Sequence, residues 1–191
     1  MQIAGKLVLT LVQMFALLNC GCGLLGKDSK FSTVEVVSDV DINRYMGTWY
    51  EIARYPNRFQ KDCLSSTATY SLRDDGKIDV VNRCTRKDNV EKTKEAHGKA
   101  WIVDPEIKGK LKVSFFWPFS GDYWIINLAP DYSYVVVGHP ERKYLWIMAR
   151  KPVIEKEIYD RIIEDIVRQE YSPEKLIVSP SQADYLNSKL E

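Results

Sequence analysis

The sequence predicts an all-β chain: an eight-stranded antiparallel up-and-down barrel with a C-terminal α-helix packed on its outside. Three observations predict it. From Thr48 to Arg150, short β-rich or alternating runs follow one another with turns between them and no helical periodicity. About eight such runs in simple order make a meander, which keeps two unpaired edges unless it closes on itself. After Pro152 the period changes, and Ile154, Ile158, Ile162 and Ile166 recur every four residues among Asp, Glu, Lys and Arg, as in an amphipathic helix with one apolar stripe. The 191 residues suit one domain with a sizeable core. Basic and acidic residues nearly cancel, 27 against 26, which argues against a nucleic-acid partner.

Residues 1–22 read as a secretory leader, with Lys6 as the positive start and Leu7–Leu18 as the apolar middle. That middle is shorter than the ~20 apolar residues a membrane span needs. The run ends in "LLNCGCG", which resembles a bacterial lipobox, where a cysteine receives a diacylglyceryl group and becomes the mature N-terminus. Two registers compete. Cys20 has Leu17 three residues upstream but Asn19 directly before it; Cys22 has the small Gly21 before it but Asn19 at the third position. No Asp follows either cysteine, so the resemblance implies the outer membrane of a Gram-negative envelope, with a lipid-anchored, periplasm-facing domain. Several acyl chains, at about 0.8 kcal/mol per buried methylene, hold a protein firmly on a bilayer. Residues 23–40 read as a tether, 41–180 as barrel plus helix, and 181–191 as a tail after the helix breakers Pro173 and Pro180.

The first strand is "TWYEIARY" (Thr48–Tyr55), preceded by Gly47, a residue suited to a turn or a close backbone approach. Strand alternation puts Trp49, Glu51, Ala53 and Tyr55 on one face, taken as the lumen, and Tyr50, Ile52 and Arg54 on the other. Ser66–Leu72 and Ile78–Cys84 flank "RDDGK" as a hairpin. Lys99 facing out leaves Ala100 and Ile102 inside, and Lys110 and Lys112 facing out leave Leu111, Val113 and Phe115 inside. The same parity sends Tyr144, Trp146 and Met148 inward with Arg150. An open-ended barrel needs a floor, and an indole under a stacked guanidinium supplies one.

"DINRYMGTWY", "APDYSYVVV" and "IMAR" resemble, in order and spacing, the three sequence motifs of the lipocalin family. The resemblance runs from Asp41 to about Ile177. It is nearest to the bacterial outer-membrane lipoprotein lipocalins of the Blc group, relatives of apolipoprotein D and plant temperature-induced lipocalins. It implies that Gly47, Trp49 and Arg150 close the barrel structurally. It also implies a ligand pocket walled by the lumen residues above, apolar and aromatic, with Glu51 and tyrosine hydroxyls as rare polar points.

Such a lining suits a hydrocarbon chain with its headgroup at the mouth. The expected function is a membrane-anchored carrier for fatty acids or lysophospholipids in envelope storage, transport or stress response, without catalysis, metal or cofactor. Two alternatives stand beside it: a lipid isomerase using a free lumen cysteine, and a structural envelope lipoprotein that binds nothing. Cys63 and Cys84 belong to an exported domain, where a disulfide is expected. Pairing Arg73 with Ile78 places Cys84 opposite Thr67, beyond direct reach of Cys63 unless a bulge or bend near Leu64 intervenes. Homodimerisation is left open.

Overall fold

A computed structural model describes residues 32–188. The leader, both candidate lipidation cysteines, residues 23–31 of the tether and residues 189–191 of the tail lie outside the described residues. The barrel is built from β1 (Gly47–Arg54), β2 (Cys63–Leu72), β3 (Ile78–Arg86), β4 (Thr93–Ile102), β5 (Lys110–Phe116), β6 (Phe119–Leu128), β7 (Tyr134–Gly138) and β8 (Leu145–Ala149). Each pairs antiparallel with the next, and β1 pairs with both β8 and β2, so the meander closes and its edges disappear. A short helix, α1 (Ile42–Tyr45), precedes the barrel. The helix α2 (Lys156–Arg168) and a two-residue strand, β9 (Ile177–Val178), which pairs antiparallel with the end of β1, follow it.

Closure separates two apolar layers. Inside, Trp49, Tyr70, Val80, Ala100, Leu111 and Met148 belong to one buried cluster. Outside, Ile52, Ile147 and Ala149 pack against Ile162 and Ile166 of α2. Ile154 is buried with them and Ile158 is partly so, which matches the four-residue stripe. Burying each such side chain contributes about 1.5–3 kcal/mol.

Two parts of the chain are more ordered than their sequence suggests. From Ser32 onward the expected tether is a strap laid on the barrel, with Val34 and Val40 buried and the Val37 N–H donating to the Ile125 carbonyl at 2.9 Å. Pro180, read as a helix breaker, instead opens a helix, α3 (Pro180–Asn187), because the first helical position needs no N–H. Gln182 on α3 is buried and exchanges two hydrogen bonds with the backbone of Ile154, at 2.8 and 3.0 Å.

The β2–β3 register differs by one residue from the expected one. The Arg73 N–H donates to the Lys77 carbonyl, so Leu72 pairs with Ile78 and Cys84 faces Ser66 rather than Thr67. A bulge between Cys63 and Ser65 draws the strand in, and Cys63 and Cys84 are bonded across a Cα separation of 5.4 Å.

Candidate functional site

The lumen floor is made where α1 meets β1. Asp41 caps α1 through its carboxylate, which accepts from the N–H groups of Asn43 and Arg44. The turn that follows holds Gly47 at a φ of 94°, and a Cβ there would meet Arg150 Nη1 at 3.3 Å. Arg150 lies over the Trp49 ring, 3.8 Å from guanidinium carbon to centroid. Its Nη1 donates to the Thr48 carbonyl at 3.1 Å and its Nη2 to that of Arg44 at 2.7 Å. The indole N–H donates to the Tyr45 carbonyl at 2.9 Å. Indole, guanidinium and first helix thus form one stopper, as the sequence leads one to expect of Gly47, Trp49 and Arg150.

Above the floor, Tyr45, Tyr70 and Tyr123 bring their hydroxyls together, Tyr123 lying 2.7 Å from Tyr45 and 2.8 Å from Tyr70. Burial raises all three above the ordinary tyrosine value, Tyr70 to about 12. Ala100, Ile102, Leu111, Val113, Met148 and Trp146 belong to the inner cluster, as strand parity predicts. Phe115, expected in the lumen, is not part of the inner cluster. A register shift between Val113 and Phe116 interrupts the alternation, and the exposed ring packs against Gly98 and borders a surface groove with Ser114, Phe116 and Trp117. Tyr144 stacks on Trp146 with 5.8 Å between centroids, near the mouth.

Parity fails in β1. A bulge between Glu51 and Ala53 inserts one residue and turns the rest of the strand over. Ala53 and Tyr55, expected in the lumen, therefore pack outside with the α2 layer, where the Tyr55 hydroxyl bonds the Ser172 carbonyl at 3.0 Å. Arg54, expected outside, instead pairs with Trp146 on the lumen side and is buried. Its guanidinium forms a salt bridge with Glu51 and donates to the Cys63 carbonyl at 3.1 Å.

Gln60 completes the group. Its side-chain amide donates to Glu51 at 2.5 Å and to Ser66 Oγ at 3.0 Å, while its carbonyl accepts the Trp146 indole N–H at 2.8 Å. Burial pushes the Glu51 carboxyl above the usual carboxylate value, with Arg54 pulling the other way. Two buried lumen-side atoms, Arg54 Nε and Asn82 Oδ1, have no hydrogen-bond partner. The upper lumen is thus more polar than the sequence implies. The signal for the missing residues is weak: a bulge leaves no compositional mark, and Gln60 lies in a connection where strand parity does not apply.

The inner face is thus apolar with a few polar points, the Arg54 Nε–H donor and the Asn82 Oδ1 acceptor among them. A family model described as a lipocalin-like domain matches residues 40–181. The chain belongs to the lipocalin family. This lipocalin is 43 % identical to the outer membrane lipoprotein Blc of Citrobacter freundii, over 75 % of this chain and 81 % of that one. It is 39 % identical to temperature-induced lipocalin-1 of Arabidopsis thaliana, over 77 % and 82 % respectively. Among solved structures, insecticyanin from the tobacco hornworm Manduca sexta shares the lipocalin fold with a TM-score of 0.62 at 23 % identity, covering 78 % of this chain and 85 % of that one.

Proposed function

We propose that this lipocalin is a membrane-anchored carrier for a fatty acid or lysophospholipid, working by reversible partition rather than bond chemistry. One observation carries the reading: a closed wall, stoppered by Trp49 and Arg150 at one end, has an apolar inner face, and the loops joining its strand pairs stand at the other end. Ten methylenes moved into such surroundings gain roughly 8 kcal/mol before entropic costs, enough for micromolar binding with little headgroup selectivity. Arg54 Nε–H can donate to an oxygen at the ligand's polar end, and Asn82 Oδ1 can accept from a hydroxyl there. The disulfide leaves neither Cys63 nor Cys84 as a thiol, which favours a carrier over a cysteine-dependent isomerase. Relatives named outer membrane lipoprotein, together with the lipobox-like cysteines Cys20 and Cys22, support an outer-membrane anchor facing the periplasm.

The test is titration with a fluorescent fatty acid. Trp146→Asp places a charge against the inner cluster and Phe115→Glu one near the β5–β6 tip, and each is expected to weaken uptake about tenfold or more. Circular dichroism checks that each variant keeps its fold. Unchanged affinity in both variants, with the barrel intact, refutes a lumen site. Native protein that never carries lipid in mass spectra favours the structural alternative.

A further inference from the structure

The open end of the barrel is apolar where a water-facing rim would be polar. Phe116, Trp117 and Phe119 at the β5–β6 tip are 76, 83 and 71 % exposed, and Phe59 and Val90 in adjacent loops of the same end are 65 and 63 % exposed. Single exposed apolar residues are ordinary, but several at one end mark an interaction surface. Phe115, next to the tip and packed against Gly98, is 42 % exposed and extends the same apolar surface.

Two further observations point to a lipid surface. Arg58, Lys61, Lys87 and Lys92 stand exposed in the rim loops. Of the neighbouring acids, Asp88, Glu141 and Glu170 are paired with Arg86, Lys143 and Arg142, while Asp62 and Glu91 stand exposed beside the cations. Cations around exposed aromatic rings suit an anionic bilayer interface. The strap also starts here. Ser32 gives its carbonyl to Arg142 Nη2 at 2.9 Å, in the β7–β8 loop, and its N–H to Glu170 at 3.2 Å. The described chain therefore begins at the rim. Cys20 lies twelve residues before Ser32, at most about 40 Å of extended chain, so an anchor there tethers the open end.

We infer that the open end docks on the phospholipid bilayer. The β5–β6 tip inserts Phe116, Trp117 and Phe119 among headgroups and upper acyl chains, the exposed cations meet anionic headgroups, and the lumen mouth faces the membrane. A hydrocarbon chain then passes between bilayer and lumen without crossing water. That last step rests on the carrier reading; the docking does not.

The full chain is reconstituted into vesicles of phosphatidylethanolamine and phosphatidylglycerol with brominated acyl chains, after the lumen has been loaded with unbrominated oleate. Tryptophan emission is expected to be quenched, and Trp117→Ser to reduce the quenching about threefold or more. Equal quenching in both proteins overturns docking. Quenching that appears only when oleate is omitted comes from the lumen, so docking fails while the carrier stands. Trp117-dependent quenching without oleate uptake keeps docking and removes the carrier. In a second measurement, Phe116→Asp combined with Phe119→Asp slows fatty-acid transfer from vesicles about tenfold and leaves affinity for fatty acid in solution unchanged. An unchanged transfer rate, or a Trp117 emission shift that follows protein rather than lipid concentration, overturns the proposal, the latter in favour of a second copy on the rim.

Discussion

At Glu51 and Arg54, two charges share the lumen with aromatic rings. Their pairing offsets part of the cost of burying each, and Gln60 satisfies the second carboxylate oxygen. Removing one partner leaves the other uncompensated, so Arg54→Met is expected to cost about 3–5 kcal/mol in urea unfolding. Combining Glu51→Gln with Arg54→Met should recover most of that loss. A single-variant cost below about 1 kcal/mol would mean that the pair is screened as on a surface. The tyrosine group makes a different prediction. An unfolded tyrosine ionises near pH 10, whereas burial holds the protons of Tyr45, Tyr70 and Tyr123 to higher pH, Tyr70 to about 12. Between those limits the folded state binds more protons than the unfolded one. Stability from these groups is therefore complete below pH 10 and is lost as pH rises toward about 12. Urea midpoints followed across that window, with tyrosinate absorbance, check it; ionisation of every tyrosine near pH 10 in a still-folded barrel contradicts it.

At the scale of elements, alternation is legible wherever a strand is regular. Lys99, Lys110 and Lys112 mark the outer face because a charged side chain stays in water, and their neighbours Ala100, Leu111 and Val113 accordingly pack inside. It becomes illegible at a bulge. The irregularity after Glu51 is a property of how β1 must meet β8, and it reverses Ala53, Arg54 and Tyr55 without changing their composition. The β2–β3 hairpin shows the same limit, since "RDDGK" announces a turn but not its length. Gly47 is legible for a sound reason: its backbone is left-handed and Arg150 leaves little room beside it. Gly47→Ala is expected to cost about 1–3 kcal/mol, seen as a lowered thermal midpoint. An unaltered midpoint would show that the α1–β1 turn relaxes freely.

For the whole molecule, the Cys63–Cys84 bond ties the start of β2 to the far end of β3, near the rim, and closes a loop with a sequence separation of 21. Reduction is expected to lower stability by about 3 kcal/mol in urea unfolding; an unshifted midpoint would show that the closed barrel alone restrains this hairpin. The sequence by itself determined the strand order, the stoppered end and the covering helix, because local alternation, one indole and a four-residue stripe allow few other arrangements. The Cys63–Cys84 bond, by contrast, waited on a register and a bulge that only the fold sets. Tertiary structure alone decided which side chains share the lumen beyond the bulge, how the tyrosine hydroxyls meet, and at which end the strap departs. Those depend on register and closure, which arise between strands distant in sequence and leave no trace in any one of them.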